Sequence, residues 1–128
     1  MKINITGKNE FEITAENGNI IIDAKKDKPF IYLGYGKEKM DMYRGNFDIS
    51  DYLTERVPMK VTEIVKDKED FLVTLKKNEY DTEKMVIKIT ESKDRVNISF
   101  LEQTYGANRI WIQPKKYTAA ANSLHTLI

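Results

Sequence analysis

The chain of 128 residues has no cysteine, one histidine, one tryptophan and three prolines. Without cysteine it can form no disulfide, zinc–thiolate site or thiol nucleophile. The single histidine, His125, lies in the C-terminal tail with no second metal ligand near it in sequence and no group to orient it as a catalytic base. We therefore expect no thiol nucleophile, no histidine-dependent triad, no metal site and no cofactor in this chain.

The sequence also lacks a charge excess and long apolar runs. Lys plus Arg number 21 and Asp plus Glu number 20, for a net charge of +1, so there is no overall basic field to attract nucleic acid or an anionic membrane. No apolar run approaches the roughly 18 residues that span a bilayer. The start, Met1 to Thr6, has no apolar signal-peptide region. We expect a cytoplasmic globular protein that binds neither nucleic acid nor membrane.

Apolar residues recur with period two, which is typical of strands with one buried face. The pair Asn17-Gly18 between two such runs predicts a tight hairpin turn. Four further strands are predicted from runs that alternate apolar with polar residues: Met59, Val61 and Val65; Phe71, Val73 and Leu75; Met85, Ile87 and Ile89; Val96, Ile98 and Phe100. Short polar links separate them, so an antiparallel meander is expected.

One sheet cannot bury its own apolar face. We therefore expect the N-terminal strands, around residues 2–6, 10–15, 19–24 and 30–33, to form the second layer of an all-β antiparallel sandwich. Residues 34–56 are expected to form a long loop that begins with a turn at Gly34-Tyr35-Gly36. Near Phe47 to Leu53 the pattern fits either a strand or one turn of helix before Pro58.

The segment from Met40 to Phe47 holds two methionines, a tyrosine, a phenylalanine and an arginine. Thioether and aromatic groups provide adaptable contact area, and a guanidinium provides directed donors. The segment is therefore either a contact surface or a cap on the sandwich, with Arg44 paired to Asp41 or Asp48.

At this segment the chain resembles glycoside hydrolase family 31, and within it the sulfoquinovosidase-like α-glycosidases. The likeness is carried by three blocks over about residues 1–113: Lys28-Pro-Phe-Ile-Tyr-Leu-Gly34, Met40-Asp-Met-Tyr-Arg-Gly-Asn-Phe-Asp-Ile-Ser-Asp-Tyr-Leu53 and Asn108-Arg-Ile-Trp-Ile112. The resemblance implies the galactose-mutarotase-like N-terminal β-sandwich of these enzymes, which packs on a (β/α)-barrel. The barrel carries the two catalytic Asp residues of a retaining mechanism.

The resemblance ends after Ile112. Family members continue with a segment like Ile-Tyr-Gly-Cys-Gly-Glu-Gln-Phe-Ala-Tyr-Phe-Asp, unlike Tyr117 to Ile128 here. One nucleotide string can encode this tail and, after two nucleotides are dropped, the family-like segment from Tyr-Gly-Cys onward. We therefore expect a β-sandwich domain over residues 1–114 and a non-native, frameshifted tail over residues 115–128.

The resemblance implies a non-catalytic domain that braces the barrel of an α-glycosidase, with carbohydrate as the partner of the whole enzyme. Tyr43, Arg44, Asn46 and Phe47 are the candidates for a loop near the active-site mouth. Loss of the barrel would expose apolar surface and strand edges, which predicts self-association.

Two alternatives are left open by the sequence. One is a free-standing carbohydrate-binding module that uses exposed aromatic rings such as Tyr32, Tyr35 and Trp111. The other is a purely structural or oligomerising sandwich.

Overall fold

The computed structural model describes residues 1–43, 46–115 and 124–127, and the side chains of residues 1–36 and 56–115. These ranges form strands and turns and contain no helix, so no helix of the described part could cross a membrane. The strands are β1 Lys2–Gly7, β2 Glu10–Thr14, β3 Ile20–Ala24, β4 Ile31–Tyr43, β5 Asn46–Pro58, β6 Lys60–Asp67, β7 Asp70–Lys76, β8 Met85–Glu91, β9 Val96–Gln103, β10 Arg109–Ile112 and β11 Leu124–Leu127. The predicted all-β class is confirmed.

The described strands form three sheets, ordered β1-β2-β3, β10-β4-β5 and β11-β9-β8-β7-β6. All pairings are antiparallel except that of β11, which runs parallel to β9. The strands β6 to β9 follow one another as the predicted meander. The turn at Asn17-Gly18 is also confirmed: Gly18 has a φ of 84°, which L side chains rarely adopt.

A single buried apolar cluster draws on all three sheets. Phe11 and Ile13 on β2, Leu33 on β4 and Ile87 on β8 are each fully shielded from solvent. Buried and half-buried residues alternate along β7 and along β8 as far as Thr90, because successive side chains point to opposite faces of a strand. Each sheet thus hides its apolar face against the others, which is the layered arrangement that the period-two pattern predicts.

Strand β6 departs from the predicted alternation. The register between β6 and β7 shifts between Val61 and Glu63, and an extra residue of this kind reverses the face on which later side chains lie. Ile64 therefore packs against the core, whereas Val65 is 44% exposed. The expectation that Val65 shares the buried face with Val61 is wrong for this reason.

Residues 34–43 and 46–56 lie in the paired strands β4 and β5 rather than in a loop. The strands β4 and β5 pair from Tyr32↔Pro58 to Tyr43↔Asn46, so the strand alternative near Phe47 is the one observed. The Gly34-Tyr35-Gly36 segment lies inside β4, and the expected turn there is wrong. Its glycines mark a register shift between Tyr35 and Gly36, as glycine in a strand often marks a bulge.

Replacement of Ile87 by alanine tests the shared core. Because Ile87 is fully buried on a central strand, I87A is expected to lower the free energy of unfolding by about 2–5 kcal/mol. The matched control is L101A, at a side chain that is 51% exposed, with an expected change of about 0.5 kcal/mol or less. Urea unfolding followed by circular dichroism measures both, and equal effects would contradict the assigned core.

Candidate functional site: the β4–β5 hairpin and its base

Three of the four predicted site residues, Tyr43, Asn46 and Phe47, lie at the far end of the β4–β5 hairpin. Tyr43 pairs with Asn46, and Phe47 pairs with Met42. Arg44 lies outside the described residues, as do the side chains of residues 37–55. The backbone register therefore brings Tyr43, Asn46 and Phe47 to one end of the hairpin, and the described side chains belong to its base.

Asn108 holds the base of the hairpin at its register shift. The Gly36 N–H donates to Asn108 Oδ1 over 2.7 Å, and Asn108 Nδ2 donates to the Gly36 carbonyl over 2.8 Å. Asn108 also donates its own N–H to the Gly34 carbonyl over 3.1 Å. The amide side chain thus replaces strand pairing where the bulge interrupts it, because a buried backbone group without a partner is costly.

Gln103 makes a second pair of hydrogen bonds between a side-chain amide and the backbone; we call this pair and that of Asn108 the amide clips. Its Nε2 donates to the Ala107 carbonyl over 2.8 Å, and its Oε1 accepts from the Ala107 N–H over 3.2 Å. These bonds close the turn between β9 and β10, in which Gly106 has a φ of 70°. The Gln103 side chain, immediately before the turn, therefore stabilises it. This turn places Asn108 next to the hairpin.

Tyr105 joins the hairpin base to the five-stranded sheet. Its carbonyl accepts from the Tyr35 hydroxyl over 2.8 Å. Its own hydroxyl accepts from the Lys77 N–H over 3.1 Å, and its one proton has two acceptors, Asp81 Oδ2 at 3.0 Å and the Glu83 carbonyl at 2.8 Å. One residue therefore links β4, the end of β7 and the loop before β8.

Electrostatics reinforce the Tyr105 junction. Burial, with further contributions from the Asp81 carboxylate, raises the pKa of the Tyr105 phenol above its ordinary value. The phenol therefore stays protonated, and able to donate, throughout the neutral range. The Lys77 ammonium lies 5.1 Å from the Tyr105 ring centroid and 5.6 Å from that of Tyr35, within the range of cation–π attraction.

The aromatic residues of the alternative carbohydrate site are only partly brought together. Tyr32 on β4 pairs with Trp111 on β10, and the Arg56 guanidinium lies 4.4 Å and 5.4 Å from their ring centroids. Arg56 is held there by a 3.3 Å bond from Nη2 to Gln113 Oε1. One face of each ring is thus occupied by a cation, and Tyr35 instead belongs to the Tyr105 junction.

The described residues contain no group of three or more His, Cys, Asp or Glu that could hold a metal ion. Their clearest specialised geometry is the pair of amide clips and the Tyr105 junction. The sequence analysis named Asn108 only as part of a block that resembles a family and gave it no structural role. It did not identify Gln103 or Tyr105. The Gly106 turn was the available signal, but the partners lie up to 72 positions away along the chain.

No protein-family model matches the chain. It is 35% identical over 108 residues to a sulfoquinovosidase of Agrobacterium fabrum, covering 84% of this chain and 15% of that enzyme. A sulfoquinovosidase of Escherichia coli is 24% identical over 94 residues, covering 73% of this chain and 14% of the relative. The chain therefore spans about 15% of the length of these curated relatives.

A solved structure is also similar, that of a family 31 sulfoquinovosidase from E. rectale in complex with an aza-sugar inhibitor. The TM-score is 0.66 at 35% sequence identity, and the match covers 88% of this chain and 16% of that one. The sheets and the likeness together define an antiparallel β-sandwich of glycosidase type. These matches confirm the predicted resemblance of this chain to a fragment of a family 31 sulfoquinovosidase. The frameshifted tail stays a prediction.

Replacement of Asn108 tests the amide clip. N108A removes both side-chain bonds to Gly36, and we expect a loss of about 1–3 kcal/mol in unfolding free energy. Hydrogen exchange at the Gly36 amide should accelerate more than exchange in β8. The matched control N19A, at an exposed turn residue, should change neither quantity measurably. Unchanged exchange at Gly36 in N108A would show that the clip does not hold the hairpin.

Proposed function

We propose that this chain is the non-catalytic β-sandwich of a family 31 α-glycosidase. In this role it braces a catalytic barrel and extends the β4–β5 hairpin toward the active-site mouth. The proposal depends on one observation above all, the 35% identity to the Agrobacterium fabrum sulfoquinovosidase over a stretch that is 15% of that enzyme. An α-linked glycoside, such as one of sulfoquinovose or glucose, is the substrate class of the whole enzyme.

The geometry of the hairpin base supports this role. A hairpin that supplies contacts near an active site must be held at a fixed angle, since a shift of about 1 Å in a positioning group can cost about 100-fold in rate. Asn108 and Tyr105 attach the base of the hairpin to two neighbouring parts of the sandwich. The far end, with Tyr43, Arg44, Asn46 and Phe47, is the part we assign to the active-site mouth.

A graft into the Agrobacterium fabrum enzyme tests the proposed role. The 108 aligned residues of this chain replace their counterparts, and hydrolysis of p-nitrophenyl α-sulfoquinovoside is followed. We expect activity from the graft and no turnover from this chain alone. Within the graft, R44A and Y43A should each lower kcat/KM by about tenfold or more, because a contact at the reacting site is lost.

The control for the graft is R95A, at the exposed turn between β8 and β9, which should retain full activity. Turnover by the isolated chain would refute the non-catalytic role. A graft that is active but indifferent to R44A and Y43A would refute the assignment of the hairpin end.

Self-association is a further part of the proposal. A half-buried groove of about 640 Å³ lies beside β9 and β10 and is lined by apolar side chains that include Phe100, Ile110 and Ile112. We assign this groove to contact with the barrel. When the barrel is absent, its apolar lining favours contact between copies of the chain.

Light scattering measures this association. The isolated chain should form a dimer or larger species at high concentration, and I110K should shift it toward the monomer because a charge is buried poorly in an apolar contact. The control I5K alters a side chain that is already 51% exposed on β1 and should leave the distribution unchanged. A strict monomer at high concentration contradicts the proposal.

A further inference from the structure

A concentration of lysines distinguishes one side of the molecule. A cleft of about 650 Å³ is lined by Lys8 of the β1–β2 turn, by Lys25 and Lys26 after β3, and by Lys60 at the start of β6. Glu79 is the only carboxylate among its lining residues. Four positive side chains therefore face one negative side chain in a chain whose net charge is only +1.

A smaller cavity of about 230 Å³ shares Lys25, Lys26 and Lys60 with the cleft and adds Lys28 and one carboxylate, Asp27. Two of these lysines already face a carboxylate: Lys25 Nζ lies 3.8 Å from Asp23 Oδ1, and Lys28 Nζ lies 4.0 Å from Asp23 Oδ2. Among the described residues, Lys8, Lys26 and Lys60 have no ion-pair partner. Three lysines without an ion pair therefore line one cleft, and a carboxylate bonded close by is that of Glu10, which accepts from the Lys26 N–H over 3.2 Å.

The cleft is also lined by residues of the loop between β7 and β8, which carry a different kind of surface. Tyr80 is 87% exposed, the most exposed large apolar side chain of the described residues. The backbone that carries the ring is held, because the Tyr80 N–H donates to Asn78 Oδ1 over 3.0 Å and Asp81, the next residue, accepts from the Tyr105 hydroxyl over 3.0 Å. Asn78 and Thr62 line the same cleft; the Thr62 hydroxyl donates to the Thr74 carbonyl over 3.2 Å, which leaves its oxygen as an acceptor, and Asn78 has its Nδ2 as a donor.

These groups suit a particular class of ligand. Ammonium groups attract sulfate or sulfonate oxygens, an exposed aromatic ring offers a face to a sugar ring, and amide and hydroxyl groups match sugar hydroxyls. The volume falls in the range of about 300–1,000 Å³ that is usual for small-ligand sites. We propose that this cleft binds an anionic carbohydrate, with its charged groups on Lys8, Lys26 and Lys60 and a sugar ring on Tyr80.

The choice of a sugar over other anions rests in part on the proposed glycosidase function, whereas the charge of the cleft does not. The test is therefore made on the full chain alone and needs no graft. Binding of dextran sulfate is measured by isothermal titration calorimetry, with unmodified dextran, inorganic sulfate and polyglutamate as comparison probes. Dextran sulfate should bind saturably and more weakly as salt is added, and more tightly than each of the other three.

Two variants assign the binding to this cleft. The triple variant K8Q/K26Q/K60Q should weaken dextran sulfate binding by about tenfold or more, as expected for three exposed charge contacts. Y80A should weaken it by about threefold or more and leave binding of inorganic sulfate unchanged. The matched control K2Q/K88Q/K93Q removes the same charge elsewhere and should stay within about twofold of the parent chain.

Circular dichroism confirms that each variant is folded before titration. Three results overturn the proposal: no saturable binding of dextran sulfate by the parent chain, equal loss in the control triple variant, or equal affinity for polyglutamate. The last result would indicate an acidic polypeptide as the ligand. None of these results bears on the graft, so failure of the cleft and failure of the glycosidase role can be told apart.

Discussion

Burial of one shared apolar core is the constraint on which the rest of this structure depends. None of the three sheets can shield its own apolar face, and the buried side chains of β2, β4 and β8 meet in one cluster. The position of every strand relative to the others follows from that contact. The hairpin, its clips and the lysine cleft are all placed by strands that the core holds together.

The base of the β4–β5 hairpin shows how polar groups complete what the core begins. Leu33 anchors β4 in the core, but three residues later the register shifts and the ladder is interrupted. Asn108 supplies the missing bonds at Gly36, and Tyr105 ties the neighbouring Tyr35 to the other sheet. Such bonds add modest net stability, but they fix direction. A fixed direction is what a hairpin assigned to an active-site mouth requires.

The sequence was informative where a pattern is local. Period-two alternation predicted the all-β fold and the meander, and Asn17-Gly18 predicted its turn, because face and turn geometry are set by adjacent residues. The predicted burial of Val65 was wrong because one extra residue in β6 reverses the face on which it lies. The predicted loop at residues 34–56 was wrong because the glycines there mark a bulge within a strand. The composition of Met40 to Phe47 indicated a contact surface or a cap, and the family resemblance then pointed to an active-site mouth.

What could not be predicted are features assembled from distant positions. The role of Tyr105 depends on contacts with Tyr35 and Lys77, far away along the chain, and Lys8, Lys26 and Lys60 converge only in the folded chain. The overall composition does not show such a cluster, because the positive and negative charges of the whole chain nearly cancel. A local charge excess is therefore invisible in the net charge that argued against polyanionic partners.

The most direct test of this account is native-state hydrogen exchange, measured as a function of urea on the isolated chain. If one core unites the sheets, the amides of Phe11 on β2, Leu33 on β4 and Ile87 on β8 should exchange through a common global opening with one free energy and one urea dependence. Separate opening free energies for the three sheets, with β2 or β4 exchanging well before β8, would contradict the shared core and the hairpin placement that follows from it.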